Sequence, residues 1–121
     1  MNREGGQVLN VHSEDGGAGR LVVRVQGAVD MATHSELGAA LVAALADEAL
    51  REIVVDLEHV TFLDSSGVRV LLEARMAAAS RDARLVVRNP QPIVDRVLQI
   101  TSVAELFGLP ATPVPARLAR P

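Results

Sequence analysis

One stretch constrains this chain more than any other. Ile53-Val54-Val55-Asp56-Leu57 is a short apolar run, the pattern of a strand buried on both faces. Val60 to Leu63 leads on from it into Asp64-Ser65-Ser66-Gly67. From Ser66 the apolar period changes. Val70, Leu71, Ala74 and Ala78 recur at helical spacing, with Val68, Leu72 and Arg75 flanking them, and the helix ends near Ser80 to Asp82. Leu85-Val86-Val87 is a second buried-type strand. A strand, a helix and a strand in that order make a right-handed crossover with the two strands parallel.

The remaining segments extend this unit. Gln7 to Ser13 reads as a weak strand, and Arg20 to Gly27 alternates with Leu21, Val23 and Val25 on one face. Asp15-Gly16-Gly17 between them is a hairpin turn signal. Thr33-His34-Ser35-Glu36 is a capping-box pattern, and Leu37, Ala40, Leu41, Ala44 and Leu45 predict a helix over residues 34 to 49. Pro92 suits a first helical position, opening a third helix through Ile93, Val94, Val97 and Leu98. Ser102-Val103-Ala104-Glu105 is a second capping-box candidate, before Leu106 and Phe107. The fold class expected is α/β: one small mixed β-sheet with an N-terminal hairpin and helices packed against it.

Composition narrows the chemistry. At 121 residues with 49% hydrophobic content, one domain with its own core is expected. Residues 1 to 6 read as a flexible N-terminus, 7 to 109 as the domain, and 110 to 121 as a proline-rich tail carrying Pro110, Pro113, Pro115 and Pro121. Aromatics are 2% and the net charge is −3, which argues against base stacking and against a phosphate-backbone binder. There is no cysteine, so disulfides and thiolate chemistry are excluded. All twelve basic residues are arginine, which removes lysine-dependent chemistry and, with abundant Ala and Gly, suits a GC-rich bacterial genome. No apolar signal core or membrane-length stretch is present, so a cytoplasmic protein without membrane insertion is expected.

The Asp64-Ser65-Ser66-Gly67 turn admits two roles. Either serine could cap the helix that follows. Either could instead accept a phosphate, which the helix dipole and free N–H groups would favour and Asp64 would oppose. Asp30, after Gly27-Ala28-Val29 at a strand end, reads locally as loop polarity or a cap. Arg69, Glu73, Met76 and Ser80 would line the outer side of the second helix, so a partner that reads Ser66 would also meet Arg69 and Glu73. A serine hydrolase is disfavoured: the Gly-x-Ser-x-Gly elbow is absent, and His12, His34 and His59 form no readable triad or metal spacing.

Three motifs in order resemble a known family. Val54-Val55-Asp56-Leu57, then Phe62-Leu63-Asp64-Ser65-Ser66-Gly67-Val68, then a leucine-rich helix, resemble the STAS domain, and more narrowly the bacterial anti-sigma-factor antagonists. Gly27-Ala28-Val29-Asp30 is similar to the family's Gly-x-Leu-Asp element, and Val97 to Thr101 with Leu106-Phe107 to its third-helix region. The resemblance implies a non-enzyme that binds an anti-sigma factor serine kinase while unphosphorylated, releasing a sigma factor. It implies phosphorylation at Ser66, reversal by a serine phosphatase, and no cofactor, the ATP belonging to the kinase. Asp64, Ser65 and Gly67 are carried over as site neighbours and Asp30 as a partner-contacting loop residue. Three departures stand out: Ala28 in place of a common acid, Arg69 in place of a small residue, and the proline-rich end. The alternative is a STAS accessory subunit of a transport ATPase complex that needs no phosphorylation.

Overall fold

The computed structural model describes residues 9–111. The expected N-terminus (1–6), the start of the first strand at Gln7 and the tail beyond Ala111 lie outside the described residues. Four strands and three helices follow in the order β1 (Asn10–Gly17), β2 (Arg20–Val29), α1 (His34–Leu45), β3 (Glu52–Leu63), α2 (Ser65–Ala79), β4 (Arg84–Arg88) and α3 (Pro92–Ile100). A single 3-10 turn, Ala104–Phe107, closes the described fold. The sheet order is β1-β2-β3-β4, with β1 antiparallel to β2 and the other neighbours parallel. This is the mixed sheet expected of a hairpin feeding two crossovers.

One core holds the domain together. Val23, Val25, Ile53, Val55, Leu57, Leu85 and Val87 from the strands join Leu37 and Leu41 of α1, Val68, Leu71, Ala74 and Ala78 of α2, Val94 and Leu98 of α3, and Phe107. Val68 is therefore core rather than flank, and Val70 is only half-buried. Val22, Val54 and Val86 stand in one cross-strand row outside that cluster. Charged rows flank them: Arg20–Glu52–Arg84 on one side, Arg24–Asp56–Arg88 on the other. Glu52 accepts from Arg20 Nε at 2.8 Å and from Arg84 Nε at 3.1 Å. Thus β3 is not sandwiched between helices, as its apolar run suggested. Its second face is finished by ion pairs.

Asp56 anchors that second face. It is buried, and its Oδ2 accepts from Arg24 Nη1 at 2.5 Å while Oδ1 accepts from Glu58 N at 3.0 Å. Arg24 also donates to Glu14 on β1; that hydrogen bond, then its charge, holds the Glu14 carboxyl below the usual carboxylate range.

Several boundaries differ from the sequence-based expectation. The hairpin turns at Ala18-Gly19, not at Asp15-Gly16-Gly17, and both turn residues have positive φ (56° and 78°), as a two-residue loop with strand-matching twist requires. The expected glycines form a register shift instead, with Asp15 Oδ1 accepting from Gly17 N. α1 stops at Leu45, not 49: the chain turns at Asp47, whose Oδ1 accepts from Ala49 N at 2.9 Å, and Arg81 donates to the Leu45 carbonyl oxygen and to that of Asp47 at 2.7 Å. Neither capping box forms: Thr33 and Val103, not Ser102, precede their helices without a side-chain cap. Pro92 does open α3.

Candidate functional site

The site is built where β2 and β3 end. Val29 and Leu63 are paired in register, so the residues that follow, Asp30 and Asp64, leave the sheet side by side. Asp64 N donates to the Val29 carbonyl at 3.3 Å, tying the two exits together. Gly27, at φ 119°, absorbs the register shift between Gly27 and Ala28 that brings these ends level.

Asp64 caps a helix, and Asp30 closes the turn that leads into one. Asp64 Oδ1 accepts from Ser66 N at 2.9 Å and from Gly67 N at 3.3 Å, so the aspartate, not either serine, caps α2. Asp30 Oδ1 accepts from Ala32 N at 2.9 Å and Thr33 N at 3.1 Å. Thr33 is fully buried; its hydroxyl donates to the Ala28 carbonyl at 2.7 Å and accepts from Asp30 N at 3.0 Å. Thr33, read from sequence as the helix cap, thus secures the Asp30 loop instead. Its signal was a threonine three residues after an aspartate at a strand end.

The serine hydroxyls are free of structural duty. Among the described residues neither Ser65 nor Ser66 makes a side-chain hydrogen bond, and no buried side-chain oxygen or nitrogen lacks a partner. The half-buried Ser66 hydroxyl therefore reaches solvent, held on the first turn of α2. No histidine is hydrogen-bonded to either serine, so neither has the bonded base that a nucleophile uses.

Gly67 is buried and sets how closely α2 approaches the sheet. A Cβ there would stand 2.4 Å from Leu63 Cδ1 and 2.8 Å from Val29 Cγ1. What it gives the site is closeness, not a side chain. Arg69 and Glu73 lie on the outer face of α2, as expected, joined at 3.2 Å with side chains 80% and 65% exposed. Met76 and Ser80 are exposed there too. The sequence reading missed two apolar side chains at this end: Met31, next to Asp30 and 79% exposed, and Phe62, 44% exposed and paired with Ala28. An exposed methionine beside a strand-end aspartate was the available signal.

A mixed sheet packed with helices, with an aspartate-capped turn between β3 and α2, defines a class. The family model described as "Mlab, STAS domain" matches residues 12–109, and the chain belongs to the STAS-domain family. Within it, the chain is 32% identical over 89 residues to a STAS-domain containing protein of Pseudomonas aeruginosa, covering 74% of this chain and 86% of that one. The solved anti-sigma factor antagonist of Mycobacterium paratuberculosis superposes with a TM-score of 0.73 at 30% identity, over 87% of each chain. The antagonist SpoIIAA in its unphosphorylated form gives 0.71 at 25% identity, over 80% of this chain and 84% of that one. A high-affinity sulfate transporter of Stylosanthes hamata is 26% identical over 100 residues, but the chain spans only 15% of its length. No described helix is long and apolar enough to cross a membrane.

Proposed function

We propose that this chain is an anti-sigma factor antagonist switched at Ser66. Unphosphorylated, it binds an anti-sigma factor serine kinase through Asp30, Asp64, Ser65, Ser66, Arg69 and Glu73, with Gly67 fixing the height of the turn. Phosphorylation of Ser66 ends that binding, and a serine phosphatase restores it. The observation that carries this reading is the unbonded, solvent-reaching hydroxyl of Ser66 on a helix turn whose cap is supplied by Asp64. Likeness to the solved antagonists supports the general class.

The physics follows from that geometry. Phosphoryl transfer needs an acceptor hydroxyl that is exposed and already positioned. Ser66 can be modified without breaking any hydrogen bond its side chain makes. The product carries about two negative charges where a partner had met a neutral hydroxyl. A charge left unpaired at an interface costs several kcal/mol, on the order of a hundredfold or more in affinity.

A second reading is favoured by the likeness to a transporter: a STAS module that serves a transport assembly, with Ser66 unmodified. Paired pull-downs from ATP-depleted lysate separate the two. Wild type is expected to capture a kinase-fold ATPase that Ser66→Asp does not. Capture of one transport ATPase by both baits would replace the first reading with the second.

A further inference from the structure

We propose that Arg69 is the built-in counter-charge for a phosphate on Ser66, and that it leaves Glu73 to serve it. The proposal rests on the reading of Ser66 as the phosphate acceptor and adds what the chain itself does with the new charge.

The helix start offers that phosphate little. Ser66 N and Gly67 N are already held by the Asp64 carboxylate, and Val68 N donates to the Asp64 carbonyl at 3.1 Å. Three of the N–H groups that would ordinarily cradle an anion are therefore occupied. The nearby charges are also of the wrong sign. Asp64 stands two residues before Ser66, and Asp30 leaves the sheet beside Asp64.

Arg69 is the exception. It follows Ser66 by three residues on α2, a spacing that puts the two on one helix face with Cβ atoms roughly 5–6 Å apart. Its single partner among the described residues is Glu73, through one Nε contact at 3.2 Å, and both side chains are largely exposed. Such a pair is loosely held. A dianionic phosphate offers more charge and several acceptor oxygens, which a guanidinium fork meets two at a time. Arg69 then exchanges a monodentate carboxylate for a phosphate one turn away. Phosphorylation would alter the outer face of α2 twice, adding charge at Ser66 and leaving Glu73 bare.

The test installs phosphoserine at position 66 during synthesis of the full chain, so no kinase is needed, and follows the phosphate's second ionisation by phosphorus NMR. The titratable groups on the segments that meet there are Asp64 and Glu73, Asp30 beside Asp64, and His34 opening α1, and none of these residues is replaced when Arg69 alone is changed. In Arg69→Gln the phosphate is expected to hold its second proton about tenfold more tightly than in wild type, a rise of one unit. In Glu73→Gln it should hold that proton less tightly than in wild type. Equal titration in wild type and Arg69→Gln overturns the proposal. Absence of Ser66 phosphorylation by a kinase would sink the functional reading instead, and leaves this titration unaffected.

Discussion

The two helix starts at the end of the sheet make an instructive pair. α1 and α2 both follow a parallel strand, and each has an aspartate just after that strand taking two backbone N–H groups on one oxygen. They differ in what becomes of the hydroxyl residue nearby. At α1, Thr33 is buried and its hydroxyl is bonded as both donor and acceptor. At α2, the Ser66 hydroxyl bonds nothing and reaches solvent. A strand-end aspartate that takes two N–H groups thus yields a locked loop before α1 and, as the cap of α2, an available acceptor. Because Asp64 carries the structural task, Ser66 can change its chemistry at little cost to the fold.

That contrast can be pressed by substitution. The largest effect is expected at Gly67, where a Cβ meets Leu63 and Val29 well inside contact distance. Gly67→Ala should lose about 3 kcal/mol of stability by denaturant unfolding, the upper end for overpacking. Retained stability would mean that α2 can lift off the sheet freely. Next comes Thr33→Val, which keeps the shape but strands the Ala28 carbonyl and Asp30 N–H, at about 2 kcal/mol. Its counterpart, Ser66→Ala, should stay within about 0.5 kcal/mol of wild type in the same assay. Equal losses at Thr33 and Ser66 would erase the distinction between the two helix starts.

What could be read from sequence follows the range of the interaction. The β3–α2–β4 crossover was legible because its periods are local: the apolar run of Ile53 to Leu57, then the helical spacing of Leu71, Ala74 and Ala78. The Asp64-Ser65-Ser66-Gly67 turn was legible as a helix start, but the division of labour within it was not. Aspartate and serine are near-equal caps, and only the backbone path decides which oxygen meets the N–H groups. Thr33 misled for a related reason. It does stand at the N-cap position, yet its hydroxyl turns inward to the Ala28 carbonyl and the Asp30 N–H and caps nothing. The end of α1 was only partly local: the Asp47 turn is written in the sequence, but Arg81, more than thirty residues away, also meets the last carbonyls. The second face of β3 was misread because an apolar run does not say what covers it. Here the Arg24–Asp56 pair stands in for a helix.

Site-resolved phosphopeptide mapping tests the central claim most directly. The chain would be incubated with ATP and the anti-sigma factor kinase proposed as its partner, then mapped alongside Ser66→Ala. The account expects one phosphate, on Ser66, and none on the variant. Phosphate on Ser65, or on the buried Thr33 just after the end of β2, would contradict the assignment of Ser66 as the acceptor.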